Sequence, residues 1–452
     1  MSALGGGFGG SGDKQLRMPL METLRQAWQD PELRSRLLFV LFMFGVFVIG
    51  IHLPVPIPGV DPERVRQAIE KSPFIGLMDI FGGGALRKVS IFALGLNPYI
   101  TASIIMQILT TAIPAWKKDL QEGGEYARRI QNRRTRALTI FLCIFQGLGL
   151  LTLLGQIMGT TGGFEATLAT KFYVVTFWTA GAMFILWIGE QISEKGIGNG
   201  VSLMIFAGIV LSMPGQIANV IDQARAGLMP WWSVATLGFI FLVTTWLIVL
   251  FTTAQRRVPI QHMRRQAGLR TLGGGTSYLP LSVNMAGVIP IIFAVSLIFI
   301  PSQIGAAMPN TPVGDFMNAL GTWLNPMSPF PKGLVASILY TALIFFFTYF
   351  YTAVQYNVED ISNNLKRGGS FIPGVRPGKQ TKDFLDNVIS RITVVGAAFL
   401  AFVALIQYVA WSVTNVQGVN IIGGTSLLIM VSVALETMRQ IEANLLMKRY
   451  GQ

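Results

Sequence analysis

The reactive inventory of this chain is small: two histidines, one cysteine and 35 lysines and arginines in 452 residues. His52 and His262 stand far apart, and no His-Glu-x-x-His pair occurs, so a His-rich metal site is excluded. Cys143 has no cysteine to bridge with. The nearest thing to a phosphate loop, Gly374-Val-Arg-Pro-Gly378-Lys379-Gln380, lacks the Gly-x4-Gly spacing and the Ser or Thr after Lys. The glycine triplets at 82–84 and 273–275 lack a strand–helix context and read as flexible turns. What remains is electrostatic. Arg256, Arg257, Arg264, Arg265 and Arg270 crowd one loop, and Arg376 sits between Pro373-Gly374 and Pro377-Gly378, a stiff mount for a single cation. Such groups attract nucleic-acid phosphates, an acidic protein face or anionic lipid.

The elements that must carry these arginines are apolar. The chain is 52% hydrophobic and 13% charged, with a net charge of +13, too little charge to cover a soluble surface. Ten apolar segments recur at 37–53, 89–113, 137–158, 172–189, 201–220, 231–255, 278–301, 333–358, 392–411 and 419–435. Most are near the ~20 residues that cross ~30 Å of hydrocarbon. Fewer than a quarter of the 35 basic residues lie in the loops after the odd-numbered spans. The positive-inside rule therefore places both termini and the basic loops in the cytoplasm. The fold class is all-α membrane protein. Ten spans divide into 37–220 and 221–435, two five-helix halves of opposite topology, with long cytoplasmic loops at 256–276 and 359–391 and tails at 1–36 and 436–452. The first 30 residues hold no apolar core of a cleavable signal. Leu20, Leu24 and Trp28, four apart, fit a short amphipathic helix on the membrane surface as well as a plain linker.

Three places break the simple pattern. The stretch 54–88 is too polar to span and too apolar for a solvated loop; it contains Phe74-Ile-Gly-Leu-Met-Asp-Ile-Phe81 before the glycines. Span 5 is short, follows Gly196-Ile-Gly-Asn-Gly200 and is interrupted by Pro214. The two basic loops are rich in Gly and Pro. Interrupted backbone survives at membrane depth only where protein buries it or where it lines an aqueous cavity. The residues thus point to a route through the membrane. The middles of the spans carry almost no ionisable groups, which disfavours a coupled pump and favours a passive pore. A solute permease is the rival reading and requires ionisable groups at mid-membrane. A scaffold or insertase without a continuous pore is the third.

Phe81-Gly-Gly-Gly-Ala-Leu-Arg-Lys, then Ser90-Ile-Phe-Ala-Leu-Gly-Leu-Asn-Pro-Tyr-Ile-Thr-Ala-Ser-Ile-Ile-Met-Gln107, resembles the plug and second span of the SecY family of protein-conducting channels. Gly189 to Leu203 resembles that family's joint between spans 4 and 5, and Leu279 to Pro290 its seventh span. Gly369 to Gly378 resembles its fifth cytoplasmic loop, and Gly423-Gly-Thr-Ser-Leu-Leu-Ile429 its tenth span. The resemblance runs in order from about Leu37 to Tyr450.

The resemblance implies several roles. Leu96, Ile100, Val201, Ile205, Ile292 and Ile429 match a pore ring; all are aliphatic, as a dewetting constriction requires. Leu96 and Val201 replace the isoleucine usual in some members. A re-entrant plug helix covers about 74–88, with Phe74, Ile75, Leu77, Met78, Ile80, Phe81, Gly82 and Gly83. A lateral gate between spans 2 and 7 carries Thr101, Gln146 and Asn284, whose mutual hydrogen bonds, each worth ~0.6–2 kcal/mol, would latch it. The six arginines would dock the SecA motor ATPase or the ribosome. Leu269 stands where many relatives carry a second basic residue. SecE and SecG would be companion subunits, preproteins with their signal sequences the clients, and anionic lipids the surroundings of the basic loops. No catalytic residue and no cofactor is implied.

Overall fold

The computed structural model describes residues 20–57, 65, 76, 79–80, 82–159, 167–227, 229–262, 265–267, 270–272, 276–308, 311–326, 328, 331–414 and 424–450. In the first half, α1 (Leu20–Gln29) precedes α2 (Pro31–Ile51). Then follow α3 (Asn97–Ala112), α4 (Pro114–Glu122), α5 (Gly124–Gly159), α6 (Leu168–Lys195) and α7 (Gly200–Arg225). The second half opens with α8 (Trp231–Thr253) and the strands β1 (Gln255–His262), β2 (Arg265–Ala267), β3 (Arg270–Leu272) and β4 (Thr276–Ser282). It continues with α9 (Ile289–Ala307), α10 (Pro312–Leu324), α11 (Lys332–Gln355) and α12 (Val358–Arg367). It closes with β5 (Ser370–Phe371), α13 (Lys379–Thr414) and α14 (Gly424–Tyr450).

Each of the ten apolar segments falls on a helix: α2, α3, α5 to α9, α11, α13 and α14. Among the described residues, seven helices are long and apolar enough to cross a membrane. α3 and α4 pass the same test only when taken together, as a pair bent by 96° at Ile113. α9 is a shorter apolar helix. The amphipathic segment near Leu20 is helical, not a linker.

Two spans start later than the hydropathy predicts. Residues 89–96 are turns apart from an isolated antiparallel bridge of Ser90 to Pro54; Gly83, Gly84 and Gly95 take positive φ and Val89 itself sits at φ 47. The chain there is held by Val55 N–H to Val89 O and Ile91 N–H to Leu53 O, at 2.9 and 3.0 Å. Residues 278–282 belong to β4, whose register with β1 (Val258 opposite Leu279, Gln255 opposite Ser282) removes them from the helix. At the other extreme, α14 continues through 436–450, so the expected tail is helical as far as Tyr450.

Helix starts show why the breaks fall where they do. Asp30 Oδ1 accepts the N–H groups of Glu32 and Leu33 at 2.9 and 3.2 Å, with Pro31 supplying the fixed φ of a first turn. Between α6 and α7, Gly198 adopts φ 94 and Asn199 caps α7 by accepting from Ser202 N at 3.3 Å. Gly200 lets the two helices touch: a Cβ there would lie 1.8 Å from Gly189 O.

Within the first half α5 packs on α3 and α6, and α6 on α2 and α7; within the second, α11 packs on α9 and α13, and α8 on α13 and α14. The halves meet along α5–α9 on one side and α7–α14 on the other. α1 and the start of α2 rest on the end of α14, sharing an apolar cluster of Ala27, Leu33, Ile197, Ile441 and Leu445. There Lys448 Nζ donates to Asp30 at 2.9 Å and to Glu32 at 2.8 Å. This holds both carboxylates below their ordinary range and raises the ammonium above its own.

Candidate pore and gate

The six ring positions lie within the first two turns of four helices. Leu96 is the N-cap of α3 and Ile100 follows one turn on. Val201 and Ile205 open α7, Ile292 opens α9, and Ile429 lies in the second turn of α14. The non-helical stretches 82–96 and 283–288 hold back the starts of α3 and α9. Leu96, Ile205 and Ile429 are buried and Ile100, Val201 and Ile292 half-buried, and all six belong to one apolar cluster. Ile80, 1% exposed, is packed into the same cluster. Of the plug residues, Ile80, Gly82 and Gly83 are described; Phe74, Ile75, Leu77, Met78 and Phe81 lie outside the described residues.

Gly83 has φ 72, and a Cβ there would meet Ile51 Cδ1 at 2.9 Å and Gly208 Cα at 3.3 Å, so no larger residue fits that turn. Asp79, 1% exposed, organises the rest. Its Oδ1 accepts from Leu86 N and Arg87 N at 3.1 Å each, its Oδ2 from Arg87 Nε at 2.5 Å, and its carbonyl from Gly84 N at 2.8 Å. Beside Ile80 lies a small cleft lined by Ser212, Gln216, Ser426 and Met430, too tight to admit water. Gln216 Oε1 and Ser426 Oγ are buried there without a hydrogen-bond partner.

On the other side of Val201 the walls are polar. A cleft of about 770 Å³ is lined by Tyr99, Arg129, Arg136, Glu190, Asn199 and Val201, among others. Arg136 donates from Nε and Nη2 to the two Glu190 oxygens at 2.9 and 2.8 Å, joining α5 to α6 at its rim. The arrangement is a polar cleft beside an aliphatic cluster that holds no charged group, with Ile80 packed into the same cluster.

At the side wall α9 packs chiefly on α5 and only slightly on α3. Thr101 and Gln146 are buried, and Asn284 lies in the turn before α9. The expected latch is not formed. Thr101 Oγ1 donates to Asn97 O of its own helix at 3.0 Å, while Gln146 Oε1 and both amide atoms of Asn284 are buried without partners.

The arginine loops are strands, which sequence reasoning missed. β1 pairs with β4 and also with β5, so the two basic loops form one three-stranded sheet, β4-β1-β5. His262 fastens the seam: Nδ1 is 2.8 Å from Ser370 Oγ and Nε2 3.0 Å from Ser277 Oγ. Arg256 and Arg257 are exposed on β1, and Arg376 is exposed in the turn after β5, where Gly374 and Gly378 take φ 82 and 102. Arg265 and Arg270 lie on the β2–β3 ladder, and Arg264 lies outside the described residues. The alternation in Thr276–Ser282 was the available signal for β4.

The SecY family model matches residues 90–438. Protein translocase subunit SecY of Haemophilus influenzae is 39% identical over 423 residues, covering 93% of both chains. That of Synechocystis is 42% identical over 445 residues, covering 95% of this chain and 96% of its own. Among solved structures, a protein-conducting channel has a TM-score of 0.61 at 18% identity, covering 91% of this chain and 92% of its own. Canine Sec61 from a ribosome–channel complex of the endoplasmic reticulum has 0.59 at 17%, with the same coverages. The fold is therefore that of a multi-pass membrane channel, and the chain belongs to the SecY family of protein translocase subunits.

Proposed function

We propose that this chain forms the pore through which unfolded preproteins cross the plasma (inner) membrane, and that apolar segments leave it sideways between α3 and α9. The convergence of six aliphatic side chains from four helices, with Ile80 packed among them, carries this reading. The ring is the constriction, residues 74–88 are its plug, and Thr101, Gln146 and Asn284 form the polar part of the gate. The unpaired buried amide atoms of Gln146 and Asn284 support that role. A closed gate containing unsatisfied polar atoms is only weakly closed, so a signal sequence needs little free energy to open it.

Both termini and the β4-β1-β5 sheet face the cytoplasm. Arg256, Arg257, Arg264, Arg265, Arg270 and Arg376 receive the SecA motor ATPase or the ribosome, and anionic lipid lies beneath them. SecE and SecG complete the complex. The chain has no catalytic residue; its partners or the proton-motive force supply the energy.

The test is ion conductance across planar bilayers containing the chain with SecE, intact or lacking residues 74–83. Conductance is expected to rise on deletion. Silence from both forms, even with a translocating chain present, would overturn the pore reading.

A further inference from the structure

α10 was not anticipated from the sequence, and its surface is divided in an unusual way. One face is fastened to α9. A Cβ on Gly321 would lie 2.3 Å from Ser302 Oγ, and one on Gly305 would lie 2.2 Å from Asn318 Oδ1. Thr311 closes the hairpin, donating to Met308 O at 2.8 Å and accepting from Gly314 N at 3.0 Å. A second face carries the exposed Asp315 and Thr322. The third carries Val313, Phe316, Leu320 and Trp323, spaced i, i+3, i+7 and i+10, so they form one stripe. Val313, Phe316 and Trp323 are 51%, 63% and 46% exposed. Packing against α9 is therefore not what the stripe is for.

Its position identifies what covers it. α9 has 19 residues, about 28 Å at 1.5 Å per residue, so α10 lies about one hydrocarbon thickness from the β-sheet at the opposite end of α9. Beyond Trp323 the exposed apolar residues Leu334, Val335 and Ile338 follow at the start of α11, a helix long and apolar enough to cross a membrane. At the junction Lys332 Nζ stands 5.2 Å from the Trp323 ring centre. A tryptophan beside a lysine at the end of a span is the signature of headgroup depth.

We infer that α10 is a lipid-docking helix: Val313, Phe316, Leu320 and Trp323 enter the headgroup–acyl boundary of the leaflet opposite the sheet, and Asp315 and Thr322 face water. The occupant is phospholipid, not a protein partner.

The test uses the full chain in its translocase complex, in nanodiscs of phosphatidylethanolamine and phosphatidylglycerol. A spin label is placed at Phe316→Cys or at Asp315→Cys; Cys143 is buried and does not compete for the label. Power saturation compares collision with oxygen, which concentrates in lipid, and with a water-soluble nickel chelate. The oxygen-to-nickel ratio is expected to be several-fold higher at 316 than at 315. Equal nickel access at both sites would mean that the stripe faces water. A 316 label shielded from both reagents would mean that protein covers it. Either result overturns the inference.

Discussion

Asp79 accepts two backbone N–H groups and one guanidinium on a carboxylate that is almost wholly buried. Removing one partner of such a pair typically costs about 3–5 kcal/mol, whereas removing both costs much less. Asp79→Ala is therefore expected to unseat the plug and raise bilayer conductance, with Asp79→Asn combined with Arg87→Gln closer to the parent. Equal leak from the single and double variants would contradict the ion-pair account. Gln216 and Ser426 act in the opposite sense. Each buries an unsatisfied atom in the cleft beside Ile80, a penalty of about 1–3 kcal/mol borne by the closed state alone if opening admits water. Gln216→Leu with Ser426→Ala should lower the resting leak; a higher leak would mean that these groups hold the plug in place. The six aliphatic positions stood out in the sequence because they sit inside long motif matches, and the structure gathers them into one apolar cluster. The hydrogen bonds of Asp79 could not be read from the sequence, because its partners come seven and eight residues later across glycine turns that obey no period. Thr101, Gln146 and Asn284 stood out in the sequence by type, but their hydrogen bonding did not, since it depends on rotamers that spacing does not fix.

At the scale of the element, close approach decides. A methyl at Gly200 would collide with Gly189 O, and one at Gly424 would lie 1.6 Å from Val403 O. Both glycines precede members of that apolar cluster in their helices, Val201 and Ile205 after Gly200 and Ile429 after Gly424, so parting α6 from α7, or α13 from α14, would displace it. Gly200→Ala should destabilise the purified complex by about 1–3 kcal/mol, the usual range for overpacking, and loosen the ring. A thermal unfolding midpoint unchanged from the parent would show that the contact relaxes freely. Long apolar periods made the spans readable from sequence. Their starts were less so. Span 7 begins late because β4 pairs with β1, and β1 in turn pairs with β5 from a loop more than a hundred residues away, as the 108-residue separation of His262 and Ser370 shows. No local window contains that partner. α10 was missed for a related reason: its apolar stripe is short and its small residues gave no clear helical signal until α9 lay beside it.

For the whole molecule, the contact between its two ends is a charge cluster at the surface. Asp30 and Glu32 have lowered pKa values, so their contribution is complete above the ordinary carboxylate range and is lost as pH falls through the lowered values. Lys448 is raised, so its share is complete below the ordinary lysine value and is lost as pH climbs through the raised one. From about pH 5 to about pH 10 the contact should be insensitive to pH but weakened by salt. Hydrogen exchange over residues 20–33 checks this. Lys448→Gln should speed exchange several-fold at low salt, and less at high salt; no change would show that the apolar cluster alone holds α1.

That contact has a mechanical meaning. The halves are joined covalently by the link from α7 to α8, and the Lys448 cluster lies near the other end of α7, whose 26 residues span about 39 Å. A body pinned at two separated points keeps one easy rotation, about the line through the pins, while shear and twist become stiff. The pair of halves thus resembles a door hung along the α7–α14 seam, with the peptide at one end of the hinge and the charge cluster, on its apolar bed, at the other. Weakening the second leaves the door attached but lets it sag, so high salt should broaden the angles at which it rests before it changes how far it opens.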